Sequence, residues 1–275
     1  MKVLATGATG GFAGLVVPAL VSRGIDVRAL AHDPTKADIP RAAGAREVVD
    51  GDLGDPASLD TAMAGMDGVF LITPAFSPDA TQMALNAVAA AARAGVRKIV
   101  YSGVYHPSLS LVNHAGTRAV EEALYRSDLA FVVLQPAMFL QGLAGAYQQA
   151  LKSGTVVMPW SKHSRMTYVD YRDVAEVVAT AFAGDTLDHG TFELAARGTH
   201  DRVEVAALMS EVAGRQLTAE DPDGLPPGQP EGLMAMFRDY DRFGFHGGNA
   251  LVLRSILQRE PRGLKDFLTE LGSRP

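Results

Sequence analysis

The run Gly7-Ala8-Thr9-Gly10-Gly11-Phe12-Ala13-Gly14 constrains this chain more than any other feature, because of what flanks it. Before it lies a short apolar run, residues 3–6, and after it a stretch of helical periodicity, residues 15–22. A strand that turns into a helix within so few residues needs backbone free of Cβ atoms. The same turn aims N–H groups at the helix start, where the dipole favours the negative charge of a pyrophosphate. After Gly7 and Gly10, Ala13 stands where a third glycine would fall and still permits close helix-to-strand packing, because the dinucleotide-binding fingerprint tolerates alanine there. A bare βα turn is the competing reading. The position of the motif at the first turn of a repeating βα chain favours dinucleotide binding.

That repetition fills the first 135 residues. Apolar runs at 3–6, 26–30, 47–50, 68–72, 98–102 and 130–134 predict six strands. Helical periodicity predicts helices at 15–22, 57–64, 80–94 and 115–126, with a weaker helix at 34–43 that Pro40 disrupts. Alternation of this kind specifies an α/β fold, a Rossmann-type doubly wound parallel sheet. After Pro136 the rhythm breaks: helices are expected at 138–151, 174–183, 203–213, 231–240 and 264–271, and strands at 165–169 and 191–194. The expected organisation is a nucleotide-binding core over residues 1–135 and a small C-terminal α/β substrate lobe over 136–275 that partly returns to the core, in one structural unit. Residues 219–232 carry Pro222, Pro226, Pro227 and Pro230 with two glycines, a composition that opposes regular structure and suits a lid or a linker.

The chain contains no cysteine, which excludes disulfides, thiolate metal sites and a cysteine nucleophile. Its net charge is -6, with 25 basic residues interleaved among 31 acidic ones, and offers no basic face to nucleic acid. No signal-peptide pattern opens the sequence, and no segment reaches the ~20 apolar residues that span a bilayer. A soluble cytoplasmic protein with a small-molecule partner is the expectation, with no membrane or nucleic acid partner and no metal.

Cofactor choice should be legible at the end of the second strand, where an acid selects the ribose 2′-hydroxyl of NAD and a cation the 2′-phosphate of NADP. The sequence there reads Arg28-Ala29-Leu30-Ala31-His32-Asp33-Pro34-Thr35-Lys36. Neither Ala31 nor His32 is an acid, and Asp33 lies one step late. Arg28, His32 and Lys36 are the available cations, so NADP(H) is expected over NAD(H). The alternative is that Arg28 and Lys36 are solvated surface charges.

On these residues the chain resembles the NmrA-like group of atypical short-chain dehydrogenases, which has isoflavone-reductase-like, triphenylmethane-reductase-like and quinone-reductase-like members. Thr6-Gly7-Ala8-Thr9-Gly10 is similar to the group's TGATG opening, and residues 27–34 resemble its VRALVRDP stretch with His32 in place of the phosphate-binding arginine. Gly51-Asp52-Leu53 looks like its GDL turn, residues 130–139 like TVLRPAMF, and 166–175 like Y-V-D-x-R-D-V-A. The resemblance covers residues 1–200. It implies that Gly7, Thr9, Gly10, Gly11, Phe12 and His32 line the pyrophosphate and adenosine ribose, with Asp52 and Leu53 near adenine. It also implies that Ile72, Thr73 and Pro74, together with Ser102 and Gly103, flank the ribose and nicotinamide.

Short-chain dehydrogenases commonly move a proton with a tyrosine whose pKa is lowered by a lysine four residues on. Here the corresponding helix reads Asn113-His114-Ala115-Gly116-Thr117-Arg118, without either residue. Thr117 takes the lysine's place, and Arg118 stays protonated at neutral pH. Ser102 at the end of the fifth strand, and Tyr105 and His106 just beyond it, remain as candidate catalytic groups, with His114 read as packed or capping. Pro136, Met138, Phe139, Trp160, Tyr168 and Phe237 could form an apolar acceptor pocket, although each alone suits ordinary core.

These features lead to an NADPH-dependent reductase of a quinone-like or polycyclic aromatic molecule, in a tailoring step of secondary metabolism. Two alternatives stay open: a non-catalytic NAD(P)-binding redox sensor that contacts a protein partner, and a cofactor-dependent isomerase or cyclase.

Overall fold

The computed structural model describes residues 1–224 and 227–273. In chain order the first elements are β1 (Lys2–Ala5), α1 (Val16–Ser22), β2 (Asp26–Ala31), α2 (Asp38–Ala42), β3 (Glu47–Asp50) and α3 (Pro56–Met63). There follow β4 (Gly68–Leu71), α4 (Ala80–Arg93), β5 (Lys98–Ser102), α5 (Val112–Tyr125) and β6 (Ala130–Pro136). Then come β7 (Met138–Phe139), α6 (Leu143–Ser153), β8 (Thr155–Val157), β9 (Tyr168–Val169), α7 (Tyr171–Ala183) and β10 (Gly190–Leu194). The chain ends with α8 (Arg202–Ala213), β11 (Thr218–Glu220), α9 (Glu231–Phe243), α10 (Leu251–Leu257) and α11 (Leu264–Gly272). Two compact units result: Met1–Pro136 with Tyr171–Glu193, and Ala137–Asp170 with the chain from Leu194 onward.

The first unit is built on a seven-stranded sheet of order β10-β6-β5-β4-β1-β2-β3. Registers from β3 through β6 are all parallel. The order reverses between β1 and β4, and open α/β sheets take ligands at that switch point, beyond the carboxyl ends of the strands. Alternation along the strands sends Leu4, Leu30, Val69, Leu71, Ile99 and Val133 to one face, where they pack with Leu59 and Met63 of α3, the alanines of α4, and Val120 and Leu124 of α5. The alanines at 84, 87, 90 and 91 let α4 approach the sheet closely. Helix α7 packs on α1, β5 and β6. Its carboxyl end is held by buried Lys98, whose Nζ donates to Ala181 O at 2.9 Å and Gly184 O at 2.6 Å.

The second unit has two parallel strand pairs, β7 with β9 and β8 with β11. Trp160, Phe237, Tyr240 and Phe245 form a chain of ring contacts at 6.1, 6.2 and 4.9 Å between centroids. Buried Arg202 donates to the carbonyls of Trp160 and Glu220. Among the described residues no helix is long and apolar enough to cross a membrane.

Several local expectations are corrected. The helix expected from 138 starts only at Leu143, because Met138 N donates to Thr167 O and Met138 and Phe139 pair with Tyr168 and Val169. Pairing across the unit outweighs helix propensity there. Pro40 does not break its helix: it sits in the first turn of α2, where an intrahelical N–H is not needed. The segment 219–232 is not wholly irregular, since Ala219 and Glu220 belong to β11 and Glu231 opens α9. Pro226 lies outside the described residues. Strands β8 and β11 and helix α10 have too few residues to leave a periodic signal.

Candidate functional site

The glycine turn stands at the switch point. Gly7 has φ +65°, and a Cβ there would lie 2.7 Å from Ile72 Cγ2 and 3.0 Å from the Ala13 methyl. Only glycine satisfies both conditions. Ala13 itself packs against Gly7, which explains why alanine suffices at the third motif position. Gly10 N donates to Gly7 O at 2.9 Å and Gly14 N to Gly10 O at 3.0 Å, closing the turn. A Cβ on Gly11 would meet nothing within 4 Å, and Phe12 is exposed beside it. Buried Thr6 ties the turn to β4: its Oγ1 donates to Ile72 O and accepts from Ile72 N, both at 2.9 Å. Thr73 is half-buried and Pro74 exposed just beyond. Backbone N–H groups with no side chain above them can hold an anion in such a turn.

At the end of β2 the His32 side chain is 80% exposed, with Nδ1 3.7 Å from Asp52 Oδ2. Asp33 caps the following turn by accepting from Thr35 N at 3.0 Å and Thr35 Oγ1 at 2.6 Å. Those two bonds, followed by the nearby Lys36 charge, hold its carboxyl below the usual range. Asp33 is therefore committed locally. Lys36 Nζ lies 3.7 Å from it. Asp52 accepts from Gly54 N at 2.7 Å, and the carbonyl of buried Leu53 accepts from Asn86 Nδ2 at 3.1 Å.

Arg28 departs from the expected set. Its guanidinium pairs with Glu47 at 2.7 Å and donates to Ala62 O and Ala64 O at 2.8 and 3.0 Å. It lines a shallow cleft with Lys2, Asp26 and Arg46, toward the amino ends of β1 to β3. That is the wrong end of the sheet for a ribose phosphate.

At the end of β5 the rings of Tyr105 and His106 lie together, while Ser102 turns to Tyr171. Ser102 Oγ is 3.3 Å from Tyr171 OH, and burial pushes that phenol's pKa up. Gly103 N donates to Leu134 O at 2.8 Å and Tyr105 N to Pro136 O at 3.1 Å, so the turn is laced to β6. The Tyr105 ring is only 2% exposed and rests 4.1 Å from the His106 ring. Burial, and then the charge and hydrogen bond of Glu193, push its phenol up to about 12. His106 Nδ1 lies 3.2 Å from Glu193 Oε1. His106 has φ +55°, a left-handed conformation that side chains seldom adopt. His114 is fully buried, and its Nδ1 lies 3.1 Å from His106 O, in line with the packed reading. Thr117 Oγ1 turns back to His114 O at 2.8 Å, and Arg118 Nε to Ala115 O at 3.3 Å.

Sequence reasoning missed Glu193, Tyr171 and the Thr6 link. Glu193 left a faint trace as the acid inside Thr191-Phe192-Glu193-Leu194, but nothing local pairs β10 with the turn after β5. Of the expected pocket residues, Pro136 ends β6, Met138 and Phe139 form β7, and Tyr168 is buried in β9. Trp160, 8% exposed, and Phe237 of α9 belong to the aromatic chain of the second unit.

The sheet order, the switch-point glycine turn and the tied β1–β4 edge define a Rossmann-type α/β protein. A model of the NmrA-like family matches residues 1–223, and the chain belongs to that family. It is 30% identical over 215 residues to an NAD(P)H azoreductase of Xenophilus azovorans, covering 78% of this chain and 74% of that one. It is 32% identical over 223 residues to a (4-alkanoyl-5-oxo-2,5-dihydrofuran-3-yl)methyl phosphate reductase of Streptomyces griseus, covering 80% and 76%. The crystal structure of a Citrobacter triphenylmethane reductase complexed with NADP(H) shares the fold, with a TM-score of 0.84, 22% identity and coverage of 98% and 100%.

Proposed function

We propose that the protein is an NADPH-dependent reductase of a quinone-like or polycyclic aromatic small molecule. The observation that carries this reading is the Gly7 turn: a positive-φ glycine at the switch point, closed on itself and tied to β4, with unshielded backbone at Gly11. Those residues fit a dinucleotide. Gly7, Thr9, Gly10, Gly11 and Phe12 would hold the pyrophosphate, and Asp52 and Leu53 the adenine. Ile72, Thr73, Pro74 and Gly103 would border the ribose and nicotinamide.

His32 and Lys36 are the proposed 2′-phosphate cations, and Arg28 has no part in the proposal. Exposed His32 and the commitment of Asp33 to its own turn favour NADPH over NADH. The bound nicotinamide supplies a hydride, so the protein mainly has to hold the acceptor and furnish one proton. His106 is the proposed donor, because an imidazole can carry a proton on either ring nitrogen and give it up from one. Tyr105, pushed up to about 12, is a poor acid at neutral pH and serves to pack the imidazole. Ser102 is bound to a buried phenol and is assigned no proton transfer. The azo and furanone acceptors in the relatives' names support a conjugated substrate, and a relative of Escherichia coli named Quinone oxidoreductase 2, 24% identical over 253 residues, supports the quinone.

The test is cofactor oxidation against a panel of quinones, azo dyes, enones and polycyclic ketones, with NADPH and NADH titrated separately. The expected result is turnover with at least one class and tighter binding of NADPH. Cofactor binding without oxidation by any acceptor would overturn the reductase, and equal or tighter NADH binding would overturn the role of His32.

A further inference from the structure

We propose that Glu193 is the positioning residue for His106, fixing the imidazole so that Nε2 is the nitrogen that exchanges a proton with the acceptor. The inference rests on the reductase reading above and adds to it a residue from a distant strand. Two kinds of geometry carry it.

The first is the backbone. His106 is held at φ +55° although neither glycine nor asparagine stands there. Strain of this kind persists only where the surroundings over-determine it. Here they do. Tyr105 N is bonded to Pro136 O at 3.1 Å, and the His106 carbonyl faces Nδ1 of fully buried His114 at 3.1 Å. A carbonyl only accepts, so His114 carries its proton on Nδ1 and donates it. The strained turn is thus pinned on both sides of the residue whose side chain it presents.

The second is the ring. Glu193 Oε1 lies 3.2 Å from His106 Nδ1. An ionised carboxylate also only accepts, so the Nδ1 proton belongs to His106. The charge of the same carboxylate also acts on the Tyr105 phenol, whose ring lies 4.1 Å from the imidazole, at 51°. Carboxylate and phenol ring thus flank one imidazole. With Nδ1 committed to Glu193, proton exchange falls to Nε2, as in other acid–base sites where a carboxylate sets the tautomer.

The proton balance closes. As the acceptor is reduced, imidazolium His106 breaks its Nε2–H bond and the proton forms an O–H bond on the acceptor. His106 is left neutral with its proton on Nδ1, Glu193 stays ionised throughout, and water returns a proton to Nε2. The Glu193 side chain is 47% exposed, and an exposed pair of this kind adds little to stability. Its removal should therefore disturb the reaction and spare the fold.

The experiment has two arms on the full chain. In the first, long-range 1H–15N spectra of 15N-histidine protein at high pH read the tautomer of each of the seven histidines, with the His106 signals assigned by their loss in His106→Gln. The expected result is an Nδ1–H tautomer in the wild type that moves toward the Nε2–H form in Glu193→Val. Glu193→Gln serves as a second variant and should give a mixture. In the second arm, Glu193→Val should lower kcat about tenfold or more with the NADPH Kd within twofold, and should have no further effect in a His106→Gln background. An unchanged tautomer in both variants, or the same loss of kcat in both backgrounds, would overturn the proposal. If the wild type turns over no acceptor, the reductase reading falls while the tautomer arm still decides what Glu193 does.

Discussion

The turns after β1 and after β5 face the same problem and solve it in opposite ways. Both leave a parallel strand at its carboxyl end, and both pass through the left-handed region, Gly7 at φ +65° and His106 at φ +55°. At Gly7 the backbone itself is the working surface. A side chain there would collide with Ile72 at 2.7 Å, so the residue is the one that carries none. At His106 the side chain is the working surface, and the conformation is tolerated because Pro136 and His114 hold the backbone on either side of it. Glycine makes a left-handed turn cheaply, while a functional side chain in such a turn needs neighbours that offset the strain.

The largest effect should come from removing the freedom at the first turn. Gly7→Ala is expected to destabilise the fold by about 2–3 kcal/mol, from the left-handed penalty plus overpacking against Ile72 and Ala13. It should also weaken NADPH binding tenfold or more. Urea denaturation and fluorescence titration measure the two, and a loss no larger than that of His106→Ala would remove the distinction between the turns. Thr6→Val keeps the shape but leaves Ile72 N and Ile72 O without their hydroxyl partner, at a cost of about 1–2 kcal/mol. It should weaken NADPH binding less than Gly7→Ala, because the turn stays open.

How far each turn could be read from sequence follows from the same contrast. The first was legible almost in full, since a turn made of backbone announces itself by its glycines, and β1 to β6 announce themselves by apolar runs. The second was legible only in part. Ser102 could be named from its place at the end of β5, and Tyr105 and His106 from theirs just beyond it, but Glu193 comes from β10, and that pairing leaves no local trace in the sequence. Arg28 failed for a related reason: its position in β2 was plain, whereas its commitment to Glu47, Ala62 and Ala64 depends on β3 and α3. In the second unit, β7 was read as helix because two residues paired across the unit carry too little periodicity to compete with a helical run.

The second turn also has a pH signature. Tyr105 keeps its proton up to about 12 when folded, whereas an unfolded tyrosine loses it near 10. Between those values the unfolded chain binds fewer protons, so this residue's contribution is full below pH 10 and is lost as pH rises toward 12, by at most ~1.4 kcal/mol per pH unit. Tyr105→Phe should make denaturation midpoints fall less steeply with pH across that window and leave the slope unchanged near neutrality. An identical slope in both proteins would place the phenol in water rather than against Glu193.

The smallest effect isolates the strain itself. At a residue with ordinary negative φ, glycine is less stable than alanine by roughly 0.5–1 kcal/mol, because it loses more backbone freedom on folding. At a left-handed residue the order reverses, since alanine meets the Cβ penalty and glycine does not. Both His106→Gly and His106→Ala delete the ring and its bond to Glu193, so their difference reports the backbone alone. His106→Gly is expected to be the more stable by about 1 kcal/mol in urea denaturation, with both equally impaired in proton transfer. The opposite order would mean that the turn after β5 is relaxed in solution, and that histidine stands there without needing Pro136 and His114 to hold it.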